Sequence, residues 1–187
     1  MAFRSRPLEK AQRSVSTVMT GLDRYATLAR EAAAAVERRQ AQYPALVERG
    51  KLSADQADTE VRIWRAIAAD WRWVVTLERI DAPPATLHEK GTALEESARR
   101  AERAMHRAFA RTDTGVREAW QQDMPVAAIL DRYGDAAAPF VEAWDRYWTM
   151  ADLRDWYRRD LPGSDRPGIA HYVDAHVRTM RLQRAAA

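Results

Sequence analysis

Between residues 54 and 80, apolar side chains return once per helical turn along two adjoining rows. Ala57, Val61, Trp64, Ala68, Trp71 and Val75 form one row, and Ile63, Ile67, Val74 and Leu77 form the other. Spacings of three and four are the period of an α-helix. Two neighbouring rows require cover on more than one side, which makes this helix a central one. The same period recurs along the chain, while sustained alternation and Asn-Gly or Asp-Gly hairpin pairs are missing. The expected fold is therefore all-α: a multi-helix bundle of about six or seven helices, with a long N-terminal helical hairpin.

Breakers and caps divide the remainder. A first helical stretch runs from Pro7 to Tyr43, with an interruption near Thr20-Gly21, and places Leu22, Tyr25, Leu28, Ala29, Ala32, Val36 and Tyr43 on one side. Tyr43-Pro44 is expected to end or kink it, because proline disfavours helical geometry in the residue before it. Ala45–Gly50 then reads as a short turn stopped by glycine. Ser53-Ala54-Asp55-Gln56 and Thr86-Leu87-His88-Glu89 are capping boxes that open helices toward Ile80 and Arg111. Asp81-Ala82-Pro83-Pro84 separates these two helices, so a seam is expected at 81–86. Residues 1–80 then form the hairpin and 86–187 a helical bundle packed on it, or the whole is one domain. Short helices follow near 115–122 and 125–133. A long helix capped by Asp135 runs to about Asp160 and carries Phe140, Trp144, Tyr147, Trp148, Trp156 and Tyr157. The last helix, 168–183, has Ile169, Tyr172, Val173, Ala175, Val177 and Met180 as its apolar set.

The fragment from Tyr43-Pro44 through Leu46-Val47-Glu48-Arg49-Gly50-Lys51-Leu52-Ser53, Ala57-Asp58, Glu60 and Ile63-Trp64-Arg65-Ala66-Ile67 carries a resemblance. Residues 22–72 resemble a helical-hairpin module of small phage and prophage proteins of unknown function. The likeness implies a hairpin fold and a phage setting, and it brings no catalytic residues. Residues 86–187 resemble no family.

Composition narrows the chemistry. There is no Cys, which removes disulfides, thiolate metal sites and thiol nucleophiles. No apolar run reaches the roughly 18–20 residues of a membrane span, and the first residues show no secretory signal. The cytoplasm is the expected location and no membrane partner is expected. Lys occurs only at 10, 51 and 90; the other basic residues are Arg. Residues 1–13 carry a net charge of +3 and residues 174–187 a net of +2, against +3 for the whole chain, so the body between them sums to −2. The ends are basic and the body is not.

No catalytic constellation emerges. His171 and His176 are five apart and fall on different helix faces. Glu102 and His106, four apart, share a face, but the Glu-x-x-His elements of a di-iron bundle are missing. Gly163-Ser164-Asp165-Arg166-Pro167-Gly168 lacks the Lys and spacing of a phosphate loop. No metal site, catalytic residue or cofactor is expected. A helix-turn-helix at 125–148 fits by spacing around Gly134, yet its second helix would begin Asp135-Ala136-Ala137-Ala138-Pro139, with no donors for base edges.

Three functional expectations follow. The first is a non-enzymatic, phage-type accessory or regulatory protein that binds another protein, with Trp73, Trp156 and Tyr157 as candidates for the partner surface; a homo-oligomer is compatible with it. The second is sequence-nonspecific nucleic-acid binding through Arg4, Arg6, Arg178, Arg181 and Arg184. The third is a helical enzyme or small-ligand binder with a pocket lined by His106, Glu102 or the Trp cluster.

Overall fold

A computed structural model describes residues 21–159 and 166–186, with only the backbone described at 21–23, 173, 176, 177 and 180. Among the described residues the chain is all-α. Its helices are α1 (Gly21–Glu48), α2 (Ala54–Thr76), α3 (Leu87–Arg111), α4 (Thr114–Gln121), α5 (Val126–Tyr133), α6 (Ala138–Tyr157) and α7 (Gly168–Ala186), with a 3-10 turn at Gly134–Ala136. None is long and apolar enough to cross a membrane.

The chain divides into two compact units. One holds residues 97–151; the other holds 20–96 together with 152–187. The boundaries fall inside α3 and α6, and the expected seam at 81–86 lies within the second unit.

In that second unit α1 and α2 pair as an antiparallel hairpin. Arg39 Nε and Tyr43 Oη both donate to Glu60, at 3.3 and 3.4 Å, and the Arg39 guanidinium lies 4.1 Å above the Trp64 ring. Pro44 does not end α1, which continues to Glu48. Proline costs the helix one hydrogen bond, to the Gln40 carbonyl, but Gln40 is exposed and water can serve that group. The helix stops instead at Gly50, in left-handed geometry (φ +64°). There Lys51 N–H reaches Leu46 O and Gly50 N–H reaches Val47 O, both at 2.9 Å.

The Ser53 capping box forms as expected: Gln56 N–H donates to Ser53 Oγ at 3.1 Å, and Ser53 N–H donates to Gln56 Oε1 at 3.2 Å. Ile63, Trp64, Ile67, Trp71 and Val74 of α2 are buried. The rows expected for this helix fail at its end. Trp73-Val74-Val75-Thr76 contains three β-branched residues, poor helix formers, and α2 stops at Thr76 rather than near Ile80. Leu77 closes it in left-handed geometry, φ +61°, leaving Leu77 49% and Val75 43% exposed.

The unit spanning 97–151 is built on aromatics. Trp120 of α4 meets Phe109, Phe140 and Trp144 with ring centroids 6.0, 5.7 and 4.9 Å apart, and Trp144 meets Trp148 at 5.7 Å. These contacts are edge-to-face, the geometry that opposed ring quadrupoles favour. Asp113 caps α4 through Val116 N–H at 2.8 Å. Asp123 ends it in left-handed geometry, with Met124 N–H bonded to Ala119 O and Asp123 N–H to Trp120 O, each at 3.1 Å. Asp135 does not cap α6: it sits in the 3-10 turn, and α6 starts at Ala138.

Candidate functional site

The most deeply placed charges of the second unit meet where α2, α3 and α6 converge. Asp70 Oδ2 accepts from Lys90 Nζ at 2.9 Å and from Tyr157 Oη at 2.7 Å. The side chains of Lys90 and Asp70 are 5% and 14% exposed, and Tyr157 is buried. Burial raises the Asp70 carboxyl above its ordinary value, with the Lys90 ammonium and the two hydrogen bonds pulling the other way; desolvation wins. Burial first, and the Asp70 charge second, push the Tyr157 hydroxyl well above the usual phenol range. A lysine suits this position in an arginine-dominated chain. Its ammonium is a compact point charge on an apolar stem, whereas a guanidinium has five donors to satisfy.

Beside this node lies an open cleft of about 740 Å³, bounded by Ala66, Ala69 and Trp73 of α2, the 79–86 connection, Glu89 and Lys90 of α3, and Arg166. Its rim is held by polar contacts. Arg62 donates to the Pro84 carbonyl and to Glu89. Glu89 also receives Thr86 N–H at 2.7 Å, and its own N–H reaches Thr86 Oγ1 at 3.2 Å. Arg62, then Thr86, hold the Glu89 carboxyl down at about 2. The Arg166 guanidinium lies 4.6 Å from the centre of the Trp73 ring. Around the cleft Asp70 is engaged with Lys90 and Glu89 with Arg62, and the Thr86 hydroxyl donates to Glu89 at 3.0 Å as part of the α3 cap.

A different kind of surface is found on α7. Its first turn is anchored: Ile169 and Ala170 are buried, and the helix packs against α2. Beyond it, every described side chain from Arg178 to Ala186 is exposed. Tyr172, Ala175, Thr179, Leu182 and Ala186 follow one another at intervals of three, four, three and four, and all five are exposed, Tyr172 by 65% and Leu182 by 72%. That interval is the spacing at which one helix presents a row to another. Tyr172 and Ala175, expected in the core set of this helix, lie outside it.

The candidates for a partner surface divide. Tyr157 is buried, its hydroxyl held by Asp70, and offers no ring to a partner. Trp156 is half-buried between Tyr25 and Trp71, with centroids at 6.3 and 6.5 Å, and Arg159 caps its ring at 3.4 Å. Trp73 is half-buried beneath Arg166 at the cleft. Of the basic candidates, Arg181 and Arg184 are exposed and Arg178 is paired with Asp174 on its own helix; Arg4 and Arg6 lie outside the described residues. His106 is exposed and Glu102 half-buried, and among the described residues no three His, Asp or Glu side chains gather as metal ligands. At 125–148, α6 buries Phe140, Val141 and Trp144 and exposes Glu142 and Asp145 near its start, acids that phosphates would repel.

Sequence reasoning missed Asp70, Lys90 and the exposed seam of α7. Signals for each were present: a lone acid among the apolar rows of α2, one of three lysines, and a second 3-4 register running through 172–186. No protein-family model, curated protein or solved structure matches the chain.

Proposed function

We propose that this chain is a non-enzymatic helical binding protein, an accessory or regulatory component of phage type, whose working surface recognises another protein. The observation that carries the reading is the free seam of α7. Tyr172 and Leu182 are exposed, and large apolar side chains in register along a surface are characteristic of interfaces. The resemblance of residues 22–72 to the phage hairpin module supplies the setting.

A photo-cross-linking residue at position 179 tests it. Irradiation of cells that make the protein should yield an adduct with a polypeptide of defined mass, and the adduct should vanish when Leu182 is replaced by Glu. If irradiation leaves the chain at its own mass, or the adduct is indifferent to Leu182, the reading fails.

A second reading, nucleic-acid binding, draws on Arg181 and Arg184, exposed one helical turn apart. It predicts filter binding at low salt that falls steeply by about 200 mM and is lost in the Arg181→Ala/Arg184→Ala double variant.

A further inference from the structure

We infer that the exposed face of α3 is a second binding surface, which holds the phosphate backbone of a nucleic-acid duplex without reading its sequence. It lies in the 97–151 unit, apart from the α7 row. Residues 97–111 carry Arg99, Arg100, Arg103, Arg107 and Arg111 against Glu102, a net of +4, while the whole chain is +3. Everything outside that stretch therefore sums to −1.

The helix sorts these charges to one side. At about 3.6 residues per turn, Arg100, Arg103, Arg107 and Arg111 fall within an arc of roughly 80° and span about 16 Å of helix axis. All four are exposed. Ala98, Ala101 and Met105 are buried on the opposite side, and Phe109 packs on Phe140 and Trp120 with centroids 5.0 and 6.0 Å apart. The row is thus fixed from behind. Glu96, one turn before Arg100, bounds it, and Glu102 is half-buried off the row. The guanidiniums of Arg103, Arg107 and Arg111 have no hydrogen-bond or ion-pair partner among the described residues. The end of α3 does not need them. Arg117 donates to the Ala110 carbonyl at 3.5 Å and to the Thr112 carbonyl, and the Thr112 hydroxyl donates to the Phe109 carbonyl at 2.7 Å. Cations in a last turn also favour the helix dipole, but Arg100 and Arg103 lie beyond its reach.

The class of partner follows from what the face lacks. Among its arginines it shows only His106 and Ala110, and no large apolar side chain is exposed from residue 97 to 111. A protein interface centres on apolar or aromatic anchors. A helix lying in a membrane surface needs its apolar side turned to the lipid, and here that side is turned into the unit. Single-strand grooves add exposed rings on which bases stack; this face exposes no Phe, Tyr or Trp. Residues 98–111 hold no Asn, Gln, Ser or Thr to read base edges beside arginine. What is left is a row of guanidiniums, each able to meet a phosphate with two N–H donors.

Fluorescence anisotropy of the full chain with a labelled duplex of about 20 base pairs provides the test. Three to four phosphate contacts predict an affinity that falls about 40- to 150-fold between about 50 and 200 mM salt, equally for unrelated sequences. Arg103→Gln/Arg107→Gln/Arg111→Gln should weaken binding about tenfold or more at the lower salt and flatten the salt dependence. Lys at the same three positions should keep most of the binding, because a phosphate contact needs the charge; circular dichroism checks that both variants fold. Leu182→Glu and Arg181→Ala/Arg184→Ala should bind the duplex as the unaltered chain does.

No binding at about 50 mM salt, a triple Gln variant that binds unchanged, or a Lys variant that loses as much as the Gln one overturns the inference. So does loss with Arg181 and Arg184 instead, which moves the duplex to α7. Phosphatidylserine vesicles or polyglutamate that displace the duplex at equal charge overturn it in favour of a membrane surface or an acidic protein. A chain that cross-links through position 179 yet ignores the duplex keeps its role as a protein binder and loses this second surface.

Discussion

Replacing Asp70 by Asn leaves an oxygen for the Tyr157 hydroxyl but removes the charge that faces Lys90. The two side chains are 14% and 5% exposed and 2.9 Å apart, so solvent screens little of the loss. Breaking a buried ion pair from one side costs about 3–5 kcal/mol, because the remaining charge stays buried without its counter-charge. For a chain of this length that lowers the melting temperature by roughly 10 °C.

Lys90→Met strands the other charge, with a different consequence for pH. The Asp70 carboxyl is already raised above its ordinary value by burial, and loss of the ammonium raises it further. An acid whose folded value exceeds its unfolded one binds more protons in the folded state. Its stability contribution is therefore full below the unfolded value, near 3.8, and is lost as pH rises through the folded one. The Lys90→Met deficit should accordingly shrink on going from about pH 7 to about pH 4, while the Asp70→Asn deficit persists there. The double variant, neutral on both sides, should be no less stable than either single one, giving a coupling at least as large as the greater single loss, about 3–5 kcal/mol. Urea unfolding of the four proteins at both pH values decides it. Additive losses, or a Lys90→Met deficit that is flat in pH, would refute the assignment of the node as a desolvated pair.

Local devices make further predictions. Thr86→Ala removes the cap of α3 and should cost about 1 kcal/mol in chemical denaturation. Glu89, held at about 2 chiefly by Arg62 and then by Thr86, has a depressed folded value. Its contribution is present above the unfolded value of 4.5 and lost as pH falls toward 2; NMR titration of its carboxyl should place the midpoint there, and Arg62→Ala should move it upward. Leu77→Gly relieves a left-handed leucine and should stabilise the chain by about 1 kcal/mol; a loss instead means that the half-exposed side chain does more for the fold than its backbone costs. Trp120→Ala opens the centre of the 97–151 unit and should cost about 3–5 kcal/mol, with loss of near-ultraviolet ellipticity.

The parts of the fold legible in the sequence were those decided within a few residues. Both capping boxes lie where Ser53 and Thr86 announce them, because a hydroxyl and a Glu or Gln three positions on satisfy backbone groups locally, whatever packs around them. Pro44 misled for the opposite reason. Its local penalty is real, but contacts from Arg39 and Tyr43 to Glu60, some twenty residues away, hold that part of α1 against α2. Val75 and Leu77 continue the apolar rows as letters, yet Val75 is exposed within the last turn of α2 and the stop at Thr76 places Leu77 beyond the helix. The Asp70–Lys90–Tyr157 node joins positions 20 and 87 residues apart in the chain, and no local pattern encodes such a meeting. The lysine itself was the visible trace, a compact cation kept where arginine is the rule.

The seam of α7 shows why periodicity finds helices more readily than it finds faces. Residues 168–186 contain two apolar rows at helical spacing, and a single list of apolar letters mixes Ile169, which belongs to the packed side, with Tyr172 and Ala175, which do not. Burial separates them, since Ile169 and Ala170 close against the hairpin while the 172–186 row stays in water. An exposed leucine taken singly needs no explanation. Tyr172 and Leu182 are different because Ala175 and Thr179 lie between them in register, all four exposed, and it is this row, on a face away from Ile169, that the proposed protein-binding role rests on.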